Sequence, residues 1–146
     1  MTTLRLTLPL PPSVNQQYAT VNGRRVLSAT ARRFRRDVTA LMRTQASTPR
    51  WPTRWLATLP NQPLACDLVF YFTTPFQRDL DGGLKIALDA VLEALDLDDR
   101  YVVALTLEKR IDPLKPRLEM EVGVAPDWTF DQQYVILPGD DGNSGI

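Results

Sequence analysis

The chain has 146 residues, 17 basic and 17 acidic side chains, one cysteine and no histidine. That length fits one ordinary domain with a core of its own. A lone cysteine, Cys66, excludes an internal disulfide. The missing histidine excludes the usual zinc sites, Ser-His and Cys-His nucleophiles, and any histidine general base.

Hydrolytic chemistry in this chain must therefore use carboxylates, lysine and metal. No apolar run approaches the roughly 20 residues of a membrane span. The start, MTTLRLTLPLPPSVN, is broken by prolines and does not read as a secretory signal. The expectation is a cytoplasmic protein with no membrane partner. Charge is unevenly spread. Residues 1–50 hold nine arginines and one acid, Asp37, whereas the other residues hold eight basic and sixteen acidic side chains. A basic half suits a polyanion, and an acidic half suits a metal.

In chain order, Leu4 to Leu10 alternates as a first strand, stopped by Pro11 and Pro12. A loop from Ser13 leads to a hairpin over Tyr18 to Leu27 that turns at Asn22-Gly23. Ser28 or Thr30 caps a first helix that runs to about Ala46. Its apolar face is Ala31, Phe34, Val38, Leu41 and Met42. Arg32, Arg36 and Arg43 project opposite, with Arg33 and Arg35 on the flanks. Residues 47–63 read as a proline-rich surface loop whose Trp51 and Trp55 pack on the core edge. Leu64 to Phe72 (LACDLVFYF) reads as a buried central strand.

A second helix is expected from about Asp81 to Leu95, weak at Gly82 and Gly83 because glycine costs about 1 kcal/mol relative to alanine. Leu80, Leu84, Leu88, Val91 and Leu95 form one apolar face, and Asp81, Lys85 and Asp89 form a polar strip at i, i+4 spacing. So apolar a helix is either central or shared with a partner. Tyr101 to Arg110 and Arg117 to Val124 read as two more strands. The expected fold class is α/β (α+β): a single domain with a small mixed β-sheet of four to five strands and two main helices. Residues 1–124 form the domain, and 125–146 a partly disordered extension.

The chemistry concentrates in RDLDGGLKIALDAVLEALDLDDR, from Arg78 to Arg100. Two unit charges about 4 Å apart interact by roughly 4 kcal/mol at an effective dielectric near 20. Clustered carboxylates therefore need a proton or a cation. In an extended segment Asp79 and Asp81 point the same way, and a following helix N-terminus favours their charge. If the strand after Asp98-Asp99 pairs near the strand that ends at Phe72, one of those two acids returns to the first pair. Lys85 either stabilises charge at a phosphate or pairs with Asp81 or Asp89; spacing alone leaves both open. No glycine-rich phosphate loop supports a nucleotidyl- or glycosyl-transferase.

With these motifs assembled, the chain resembles the RusA family of Holliday junction resolvases. LPLPPSVNQQY is similar to the family's proline-serine-asparagine signature. NGRRVLSATARRFRRDV resembles its hairpin and first helix, and RDLDGGLKIALDAVLEAL with LDDRYVVALTLEKR resembles its catalytic segment. The likeness runs over roughly Leu4 to Val124.

The resemblance implies a homodimer that binds four-way DNA junctions and cuts them symmetrically with magnesium or manganese, without a small-molecule cofactor. It implies Asp79, Asp81 and Asp99 as metal-binding and catalytic carboxylates, and Lys85 as the catalytic lysine. Arg78 would lie close to the phosphate. Arg24, Arg25, Arg32 and Arg36 join it as expected DNA contacts. The apolar second helix is expected to form part of the dimer contact. Two departures stand out: Gly82 where the family has asparagine, and a neutral net charge. They leave a non-catalytic branched-DNA-binding protein as the alternative.

Overall fold

The computed structural model describes residues 3–129. A four-stranded sheet carries the fold. Its strands are β1 (Thr3–Leu8), β4 (Leu64–Phe72), β5 (Val102–Ile111) and β6 (Arg117–Val124), in the order β1-β6-β4-β5. β6 is antiparallel to both β1 and β4, whereas β5 runs parallel to β4. Two further strands, β2 (Tyr18–Val21) and β3 (Arg24–Leu27), form a separate hairpin. The helices are α1 (Ala29–Ala46), a single turn α2 (Thr53–Leu56) and α3 (Leu84–Ala94). The mixed sheet with two main helices is the architecture expected from the sequence.

Alternation along the strands gives the sheet one apolar face. Leu4, Val122 and Cys66 form one cross-strand row, Leu6, Met120 and Leu68 the next, and Leu8, Leu118 and Phe70 the third; all are buried. α1 buries Ala31, Phe34, Val38 and Met42 into the same core, and α3 buries Ile86, Ala87, Leu88, Ala90, Val91 and Leu92. Trp51 and Trp55 pack at its edge, as expected. The opposite face carries ion pairs such as Arg5 to Glu121 and Arg117 to Glu119.

Local chemistry fixes the element ends. Asn22 (φ 53°) and Gly23 (φ 76°) both take left-handed backbone between paired Val21 and Arg24. Such a two-residue turn matches the twist of a hairpin. Ser28 Oγ accepts the Ala31 N–H at 3.0 Å and caps α1.

Several sequence expectations need correction. β1 ends at Leu8, and the loop after Ser13 contains a 3-10 turn, Val14–Gln16. α3 begins at Leu84 rather than Asp81, because residues 79–83 form successive tight turns (Gly82 N–H to Asp79 O, Leu84 N–H to Asp81 O). No acidic residue occupies the first turn of α3, so its dipole is not what holds Asp79 and Asp81. The buried surface of α3 wraps round to Ile86 and Ala90 and is used up inside the protomer.

Cys66 is 0% exposed, and burial, with Asp67 beside it, pushes its thiol up to about 12 from 9.0. The unfolded chain ionises first, so the stability this thiol supports is complete below about 9 and is lost as pH rises towards about 12. At pH 8 a thiol reagent should leave the native protein unlabelled and react fully once urea unfolds it.

Candidate active site

The acidic loop follows β4 and precedes α3. Thr73 to Arg78 forms a run of bends, and Asp79 to Gly83 the turns that enter the helix. Asp79 and Asp81 are both exposed, and neither carboxylate makes a hydrogen bond or ion pair among the described residues. Their oxygens are therefore free to accept.

The loop is held on three sides. Gln17, only 5% exposed and the sole buried polar residue among the described residues, donates from Nε2 to Pro12 O at 2.9 Å and to Gly82 O at 3.0 Å. Lys109, from the edge strand β5, donates from Nζ to Pro75 O at 2.9 Å and Arg78 O at 2.8 Å. Arg78 turns back under the loop, donates from Nη2 to Pro11 O at 2.7 Å, and lies 5.0 Å from the centre of the Phe72 ring. Its half-buried guanidinium is lowered in pKa by desolvation, and its Nε is buried without a partner.

Gly83 packs against this prop: a Cβ there would lie 2.6 Å from Pro11 Cγ. Gly82 is different. A Cβ there would meet Asp79 O at 3.5 Å and Ser13 Cβ at 3.8 Å, ordinary contact distances. The backbone therefore accepts the asparagine that the sequence pattern expects at 82.

Lys85 lies in the first turn of α3 and reaches two carboxylates, Asp89 Oδ1 at 2.7 Å and Asp99 Oδ2 at 2.9 Å. The hydrogen bond to Asp89, then that to Asp99, raises its pKa above the usual lysine range. The side chain remains largely exposed. Spacing had left open a pairing with Asp81 or Asp89; the structure selects Asp89 and adds Asp99.

Asp98 is used differently. It caps the 3-10 turn Asp99–Tyr101 by accepting the Arg100 N–H at 2.9 Å, and it pairs with the Arg100 guanidinium at 2.7 Å. Those bonds to Arg100 lower its pKa.

The strand after Asp99 does pair with β4, as the expectation required, but that pairing does not itself carry Asp99 to the Phe72 end. β5 is parallel to β4, so its start at Val102 lies beside Leu64, at the other end of β4 from Phe72. Asp99 approaches the site from the flank of α3, through Lys85. Among the described residues, no three acidic groups converge at metal-holding spacing. What the site offers a cation is the free pair Asp79 and Asp81. Two carboxylates with water and phosphate oxygens are an ordinary donor set for magnesium.

The basic residues lie next to this loop. The Gln17 carbonyl accepts the Ser28 N–H at 2.8 Å, so the base of the β2–β3 hairpin and the start of α1 hang from the residue that holds Gly82. Both hairpin strands are exposed almost throughout. Arg24 is exposed, and Arg25 lies over the Tyr18 ring at 3.9 Å. Arg32 donates to Leu27 O, and Arg36 is exposed on α1. Arg35 instead bridges to Glu93 of α3 at 2.5 Å. Beyond that bridge lies an acidic cleft of about 520 Å³ lined by Asp89, Glu93, Asp96, Asp98 and Asp99.

The family model described as endodeoxyribonuclease RusA matches residues 9–123. This chain belongs to the RusA family. A curated member, the crossover junction endodeoxyribonuclease RusA of Shigella sonnei (strain Ss046), is 30% identical over 123 residues, covering 84% of this chain and 95% of that protein. The family match spans both arms of the site, from the segment holding Gln17 to the strands holding Lys109 and the end of the sheet.

Sequence reasoning did not find Gln17 or Lys109. The available signal for Gln17 was its place in PPSVNQQY, a polar run followed by a hairpin. For Lys109 it was a cation at a core-facing position of β5, paired with Phe70.

The two glycines yield contrasting expectations. Gly83→Ala should destabilise the protein by about 1–3 kcal/mol, because the rigid Pro11 ring must move. Gly82→Asn should leave stability within about 0.5 kcal/mol. Urea denaturation of both variants measures the difference.

Proposed function

We propose that this RusA-family protein is a metal-dependent, structure-selective endonuclease that resolves four-way (Holliday) DNA junctions by paired symmetric phosphodiester cleavage. The carrying observation is the pair of free carboxylates, Asp79 and Asp81, on a loop pinned by Gln17, Arg78 and Lys109. Family membership and the activity named for the Shigella relative support the same reading.

In this mechanism Asp79 and Asp81 hold a magnesium or manganese ion. When bound, such an ion polarises a phosphate and lowers the pKa of its water. Lys85 is poised as a mobile cation. On moving to the phosphate it stabilises the charge that develops there, and it releases Asp99 to serve as the third carboxylate. Arg24, Arg25, Arg32 and Arg36 hold backbone phosphates of the junction arms, as exposed arginines do in most protein–DNA contacts. Arg78 shapes the loop from below, and its buried Nε is available to a phosphate reached through a small movement.

Symmetric cleavage needs two such sites, so the active species is a homodimer. No described helix is long and apolar enough to cross a membrane. A cytoplasmic enzyme acting on DNA fits that finding.

The pairing of Lys85 with Asp99 favours a second reading, a branched-DNA-binding protein that does not cut. One experiment separates the two. The protein is incubated with a synthetic four-way junction or a linear duplex, with and without magnesium. Paired nicks on the junction alone, abolished by chelation, are expected. Asp81→Asn should keep junction binding and lose cleavage by at least ~100-fold. Cleavage by that variant at the parent rate would falsify the metal-holding role of Asp81.

A further inference from the structure

Phe76 is 93% exposed, although it lies between β4 and the acidic loop only three residues before Asp79. A phenylalanine so placed gives up most of the stabilisation that burial of its ring would bring. It is also held in place. Lys109 Nζ grips the carbonyl of Pro75 on one side and of Arg78 on the other, so the two ends of Pro75–Arg78 are tied to β5. The ring therefore stands out from a short tethered bend. Its neighbours Thr73, Thr74, Pro75 and Gln77 supply no broad apolar patch, so the surroundings do not suit a protein partner. Three residues of chain span at most about 11 Å, which keeps the ring beside the carboxylates.

We infer that Phe76 is a base-stacking wedge that confers selectivity for branched over linear DNA. The inference rests on the junction-resolving reading above. In an intact duplex both faces of every base are stacked, and an exposed aromatic ring finds no partner there. At a branch point, bases can be opened at modest cost, and an unstacked base offers a π-face to an aromatic side chain whatever its sequence. A ring anchored next to the metal-holding carboxylates places the opened step beside the scissile phosphate. Phe76 is thus a specificity-determining residue; proton and phosphate chemistry stay with Asp79, Asp81 and Lys85.

The test uses four-way junctions carrying 2-aminopurine at the branch point, bound by the full chain without divalent metal so that no strand is cut. Binding of the parent protein should raise 2-aminopurine fluorescence, reporting an unstacked base. Phe76→Ala should abolish that rise and weaken junction affinity roughly tenfold, with duplex affinity unchanged. Phe76→Trp should restore affinity. Leu114, 96% exposed on the β5–β6 turn, is the control, and Leu114→Ala should behave as the parent.

A parent-like fluorescence rise in Phe76→Ala overturns the proposal, as does an equal loss in Leu114→Ala. A change in oligomeric state of Phe76→Ala by gel filtration, with unstacking intact, assigns the ring to a second copy instead and also overturns it. Failure of the parent itself to bind the junction would sink the junction reading, a separate outcome.

Discussion

The site depends on one buried amide. Gln17 has two donor hydrogens on Nε2, and both are spent on carbonyls from distant parts of the chain, Pro12 and Gly82. A buried amide that lost such partners would cost about 1–3 kcal/mol per unsatisfied group. The three segments are therefore stable only together. The Gln17 backbone adds a fourth, since its carbonyl receives the Ser28 N–H where α1 begins. The exposed arginines and the free carboxylates thereby share one fixed origin, although more than 40 residues separate them in sequence.

Lys109 performs the matching task from the other side. It sits in register with Phe70, a fully buried position on the neighbouring strand. At the open edge of the sheet its stem can pass the Phe72 ring and deliver the ammonium to two backbone carbonyls. Long cationic side chains commonly bury their stem in this way while keeping the head in a polar setting. Arg78 completes the set, but with its Nε unpartnered. The loop is thus rigid where it turns and free at its carboxylates, which is the division a pre-organised site needs.

The fold was largely legible because its signals are periodic. The Leu64 to Phe72 alternation, the i, i+3, i+4 pattern of α1 and the Asn22-Gly23 turn each depend on neighbours within a few residues. The site was legible as a set of residue types but not as an arrangement. Lys85 with Asp99 depends on how α3 and the turn after it lie against one another in space, which no local pattern records, although the helix between β4 and β5 does point to a parallel pair. The start of α3 was misjudged for a local reason: two glycines beside an aspartate can make a helix turn or tight turns at nearly equal cost, and the props from Pro11 and Gln17 decide. Gln17 itself looked like loop polarity, because burial of a polar side chain leaves no periodic trace.

The Arg35–Glu93 bridge marks a frontier between the arginine-bearing helix and the acidic cleft that borders it. A molecule with no net charge but such a divided surface feels little pull from distant DNA. It feels a torque instead: the arginine side turns towards the phosphates and the cleft turns away. Electrostatics here governs how the protein faces its polyanion more than how fast it arrives.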